Sequence, residues 1–76
     1  MAPLEVVRRR KLLSQRALAE RSGVSESTIF AIERGTSKRP RLEVMRKLCD
    51  ALGVEPTEVD EFRRVIEAER QRAVAA

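Results

Sequence analysis

Two serines and two glycines constrain this chain more than any other feature. Ser14 and Ser25 each stand immediately before a short run with apolar residues at helical spacing, and Gly23 and Gly35 stand at the ends of those runs. A serine hydroxyl accepts a hydrogen bond from the first turn of a helix, and a glycine takes the left-handed conformation that closes one. The spacing predicts helices over Gln15–Arg21 and Glu26–Arg34, meeting across a few residues centred on Gly23-Val24-Ser25. A β-branched residue in place of Gly23 would need a positive φ at appreciable cost. Leu18, Ala19, Val24, Ile29 and Ile32 form the apolar set that fixes the angle between the two helices, so they read as scaffold. What remains of the second helix, Glu26, Ser27, Thr28, Ala31 and Arg34, is small and polar near its start, as entry into a DNA major groove requires.

The rest of the chain is helical in pattern. Leu4, Val7 and Leu12 or Leu13 share one face of a first helix expected over Leu4–Leu12, with Pro3 suited to its first turn and Arg9, Arg10 and Lys11 solvated. Thr36 to Arg41 has no apolar residue except Pro40 and carries Lys38, Arg39 and Arg41, which predicts an exposed basic loop. Leu42, Met45, Leu48, Cys49 and Leu52 make an amphipathic stripe closed by Gly53. Pro56 is expected to open a fifth helix, whose stripe Val59, Phe62, Ile66 and Ala73 runs into the tail, with Asp60 a place where it could break. No β-type alternation and no internal repeat is visible. The expectation is an all-α, compact five-helix fold, with residues 1–59 as its body and residues 60–76 as a C-terminal helical extension.

Composition narrows the function. A chain of 76 residues, 42% apolar, supports one domain with a modest core. Its charge of +4, from 16 Lys and Arg against 12 Asp and Glu, points to a polyanionic partner. With two Phe and no Trp or Tyr, the stacking surfaces used by single-strand and RNA readers are nearly missing, which favours duplex DNA. There is no His, no Gly-rich phosphate loop and no Cys cluster, so no enzyme activity, cofactor, metal or small-molecule substrate is expected. The acidic group Glu55, Glu58, Asp60 and Glu61 reads as partners for a helix start rather than as metal ligands. The lone Cys49 reads as a buried, inert thiol and fits a reducing compartment. No secretion signal and no apolar run near the roughly 20 residues of a bilayer span is present, so a cytoplasmic protein that avoids membranes is expected.

Together, Leu13-Ser14-Gln15, Leu18-Ala19, Gly23-Val24-Ser25, Ile29, Ile32-Glu33, Gly35, Pro40 and Leu52-Gly53-Val54 resemble the Cro/cI-like, or xenobiotic-response-element, helix-turn-helix family, over roughly Leu4 to Val59. The loop Gly35 to Arg41 looks like its counterpart in certain lambdoid phage repressors. The resemblance implies a lambda-repressor-like fold and a DNA-binding transcriptional regulator, most simply a repressor. It implies that Glu26, Ser27 and Ala31 face base edges, with Thr28 and Arg34 nearer the backbone. In chemical terms Ser27 can donate or accept at any base, Ala31 can meet a thymine methyl, and Glu26 can accept from cytosine N4 or simply complement the helix dipole. Relatives often carry Gln at one or two of these positions, so with Glu26 and Ser27 the resemblance does not fix the base sequence read here. By the same resemblance Gln15 holds a phosphate and braces the reading helix, and Arg16 adds a phosphate contact or stays a solvated charge. Ser25 caps at the interface, while Ser37, Lys38 and Arg39 follow the backbone. Arg41 reaches an A·T-rich minor groove. Arg8 and Glu33 resemble the family's structural ion bridge. Phe30 falls on neither a clear core face nor a clear polar one, and is expected either to pack on the fourth helix or to touch thymine methyls. A homodimer is expected, as one short reading helix contacts few base pairs. Its candidate surface is Val54, Val59, Phe62, Val65 and Ile66, unless the last helix folds back onto the body. A protein-interaction module, an antitoxin and a restriction-modification controller are the alternatives on the same fold.

Overall fold

In the computed structural model, which describes residues 2–75, the serines and glycines act as their positions require. The elements are α1 (Leu4–Arg10), α2 (Gln15–Ser22), α3 (Glu26–Arg34), α4 (Leu42–Leu52), a single 3-10 turn (Pro56–Glu58) and α5 (Asp60–Ala75). Ser14 Oγ accepts from Ala17 N–H at 3.0 Å and Ser25 Oγ from Thr28 N–H at 3.2 Å. Gly23 closes α2 at φ 79°, and its N–H donates to Ala19. The fold is all-α. Among the described residues the sole extended pairing is an isolated bridge between Ala2 and Val59.

One core serves all five helices. Leu4, Leu18, Ile29, Ile32, Leu48, Val59 and Phe62 are fully buried at its centre. Each such side chain contributes about 1.5–3 kcal/mol over its exposed state. Cys49 lies in the same core, where burial pushes its thiol up to about 11, so it stays neutral and unreactive at physiological pH.

The structure departs from the expected pattern in four places. The first helix ends at Arg10, because Leu13 N–H donates back to Arg8 O and the Arg8 guanidinium donates to Leu13 O at 2.9 Å. Leu13 consequently packs on the core, while Leu12 stands 92% exposed at φ 59°. Leu42, placed on the apolar stripe by spacing, is 70% exposed: as the first residue of α4 it lies beyond the core that Met45, Leu48, Cys49 and Leu52 face. In the basic loop Pro40 is buried. Finally, Pro56 opens only a 3-10 turn, because Val59 is pulled into extended geometry by its pairing with Ala2. Ala2 N–H donates to Glu58 O at 3.2 Å and Asp60 N–H to Ala2 O at 2.9 Å. Asp60 therefore begins α5 rather than breaking it, and α5 runs without interruption to Ala75, with Ala76 outside the described residues.

Candidate nucleic-acid interface

α3 is held from behind by apolar contact and from one side by charge. Ile29 and Ile32 fix its inner face. On its flank the Arg8 guanidinium donates twice to Glu33, Nε to Oε2 at 2.7 Å and Nη2 to Oε1 at 2.9 Å. Both side chains are almost closed to solvent, and the hydrogen bond to Glu33 raises the Arg8 pKa against the opposing effect of burial. The same Glu33 Oε1 accepts from Gln15 Nε2 at 3.1 Å. One carboxylate thus ties α1, α2 and α3 together. Gln15 keeps a second Nε2 proton for a ligand, and it sits at the start of α2, where unpaired N–H groups and the helix dipole favour an anion.

The outer side of α3 is left to solvent. Glu26, Ser27 and Arg34 are exposed, and Thr28 and Ala31 are partly so. Thr28 shares a 2.7 Å hydroxyl contact with Ser25, which fixes the first turn. The basic loop is anchored at both ends: Thr36 and Ser37 donate their N–H groups to Ala31 O, and Pro40 is buried beyond them. Lys38, Arg39 and Arg41, between and after these anchors, are exposed, while Ser37 is half-buried. Arg41 occupies the N-cap of α4 and makes no side-chain capping bond there.

Positive charge is concentrated along this surface: between Glu33 and Glu43 the chain carries Arg34, Lys38, Arg39 and Arg41 and no acidic residue. Glu5, Glu20, Glu43, Glu67 and Glu69 pair with Arg9, Arg16, Lys47, Arg63 and Arg72 along their own helices. Among the described residues no carboxylate lies within ion-pair distance of Arg34, Lys38, Arg39 or Arg41. Cations left unneutralised beside a small, polar, exposed helix face are the features a phosphate-lined groove selects. A family model described as helix-turn-helix matches residues 4–59, from the first turn of α1 to the Ala2–Val59 bridge. The chain belongs to the helix-turn-helix family, of the Cro/cI-like DNA-binding type. No curated protein and no solved structure matches it.

In this helix-turn-helix protein α2 and α3 are the motif's two helices, the second of which, in the motif's general docking geometry, is the one presented to the groove. The residues expected at the DNA fall on two adjoining surfaces. Gln15, Arg16, Glu26 and Arg34 line an open cleft of about 540 Å³ between α1, the start of α2 and α3. Ser27 and Ala31 lie one position further round α3, and Ser37, Lys38, Arg39 and Arg41 follow in the loop. Arg16 is shared: its Nε lies 3.7 Å from Glu20, at 82% side-chain exposure, a contact weak enough to yield to a phosphate.

The expected dimer residues divide differently. Val59 and Phe62 are 0% exposed and belong to the chain's own core, so they are not available to a partner. The reason is the alternative already open in the sequence, that the last helix folds back onto the body. Val54, Val65 and Ile66 remain partly exposed.

Three contributions escaped sequence reading. Glu61 Oε1 accepts Leu4 N–H at 2.8 Å and so caps α1 from α5. Ala2 pairs with Val59. Phe30, 48% exposed, carries the Arg34 guanidinium over its ring at 5.6 Å. Only the last had a local signal, the i, i+4 spacing of an aromatic and a cation. No helix among the described residues is long and apolar enough to cross a membrane.

Proposed function

We propose that the protein is a sequence-specific double-stranded DNA-binding transcriptional regulator, a repressor that acts as a homodimer on a pseudo-palindromic operator. The observation that carries this reading is an acid-free run of cations beside an exposed helix face. Arg34, Lys38, Arg39 and Arg41 lie on or just after the exposed helix that the fold offers to a groove, with no acidic residue among them in the chain and, among the described residues, no carboxylate within ion-pair distance. In this reading Gln15, Arg16, Thr28 and Arg34 hold phosphates at the groove edge, with Ser25 at the same edge as the α3 cap. Ser27, Ala31 and Glu26 meet base edges. Ser37, Lys38 and Arg39 track the backbone, and Arg41 reaches into a narrow, A·T-rich minor groove, where negative potential is strongest. The body 1–59 supplies the reading head. The extension 60–76 contributes Val65 and Ile66 to the dimer, with Val54 beside them, and sets two heads roughly 34 Å apart.

Gel-shift titration of a site selected from random duplex DNA, repeated across salt concentrations, tests it. Log affinity should fall linearly with log salt, by about 0.9 per phosphate neutralised. Arg41→Ala should lower that slope by about 1 per protomer and flatten the preference for A·T-rich flanks. Binding that ignores salt, or prefers no sequence, would reject the proposal.

A further inference from the structure

Phe30 is the one large apolar side chain on the outer surface of α3. Its neighbours on the inner side, Ile29 and Ile32, are wholly buried, so the core is complete without it. Glu26, Phe30 and Arg34 follow at i, i+4 and i+8, one stripe of the helix, and all three line the cleft that also holds Gln15 and Arg16. The Ser27 and Ala31 stripe is the next one round. Phe30 therefore stands one turn after Glu26, placed at a base edge, and one turn before Arg34, placed at a phosphate, with one ring face covered by Arg34 at 5.6 Å.

We propose that Phe30 is a specificity-determining residue, which packs its exposed edge against a thymine methyl group while its ring holds Arg34 towards the adjoining phosphate. The chemistry is selective. Among the groups that base pairs display in the major groove, the thymine C5-methyl is the apolar one, and an aromatic edge beside it removes both from water. The ring also restricts Arg34, a flexible cation within about 6 Å of its face, so less freedom is lost when a phosphate is bound. Glu26, one turn before Phe30, repels phosphate at that end of the stripe and leaves Arg34 to define the other. The inference rests on the DNA-binding reading and adds to it which base is read and by what.

Thymine-to-uracil replacement deletes the methyl and nothing else, so it isolates this contact. On the selected operator, each thymine is replaced in turn and affinity is measured for the wild-type protein, Phe30→Ala and Phe30→Leu. The wild type should lose about fourfold at one thymine of each half-site, the equivalent of one methyl left in water. Phe30→Ala should bind the thymine and uracil forms of that position equally. Phe30→Leu should keep part of the discrimination while losing affinity through a less restrained Arg34. Circular dichroism should show the three proteins equally folded, as the residue lies outside the core. The proposal is overturned if the wild type is indifferent to every uracil, or if Phe30→Ala retains the full effect, which would assign the methyl contact to Ala31. Failure of the wild type to bind any duplex would remove the DNA-binding reading, and this one with it. Specific binding without methyl dependence removes this one alone.

Discussion

Glu33 does two jobs with two oxygens. It closes the Arg8 bridge that positions α1 against α3, and it takes the Gln15 proton that decides where that side chain points. Arg8→Met would leave a buried carboxylate without its cation, at a cost of about 3–5 kcal/mol. In a domain of this size that lowers the melting temperature by tens of degrees. Arg8→Met with Glu33→Leu removes both charges and should recover most of the loss, since an apolar pair can replace a buried ion pair at little cost. Its DNA affinity should nonetheless stay below wild type, because Gln15 has lost its brace. Thermal unfolding and gel shift on the two variants separate the roles; equal recovery of both would show that Glu33 serves the fold alone. The raised Arg8 pKa keeps the guanidinium's share of this stability fully present below the ordinary arginine value, and it fades only as pH climbs through the still higher folded value.

Between α1 and α2 the chain turns through Leu12, a non-glycine residue at φ 59° with its side chain in solvent. A left-handed L-residue costs roughly 1–2 kcal/mol, and glycine's greater freedom when unfolded returns about half of that. Leu12→Gly should therefore raise the melting temperature by a few degrees, and an unchanged or lower value would show the turn to be unstrained. That linker also marks where sequence reading reaches its limit. The bounds of α3 and α4, and α2 to within a residue, were legible because caps and glycine stops are local chemistry that each helix carries in its own sequence. Periodicity could not choose between Leu12 and Leu13, because the choice depends on Arg8 bonding to Leu13 O. The 3-10 turn and the start of α5 depend on Ala2, and the cap of α1 depends on Glu61, 57 residues from its partner. Nothing near either position in the sequence announces them. At the site, Gln15, Arg8 and Glu33 were recognisable through family resemblance, and Ser14 and Ser25 through capping chemistry. The stacking of Phe30 with Arg34 was not, because a half-exposed ring fits neither a core nor a polar template.

The molecule measures 40 × 21 × 18 Å, and from Glu67 to Val74 every residue of α5 is exposed. Helical segments this short are marginal without tertiary contact, so a partner that covers the arm would stabilise it. Sedimentation should show concentration-dependent dimerisation, and Ile66→Asp should shift the protein to monomer with weaker operator binding. A wild-type monomer at every concentration, with and without DNA, would remove the dimer. The distribution of charge has a further effect, on time rather than on affinity. Because no acidic residue falls between Glu33 and Glu43, Arg34, Lys38, Arg39 and Arg41 give the molecule a positive pole. In the field of a duplex such a molecule is turned before it touches, so a larger fraction of encounters begin with the reading side foremost. Counter-ions shorten the range of that torque to a Debye length of about 8 Å at physiological salt. Added salt consequently delays arrival as well as loosening hold.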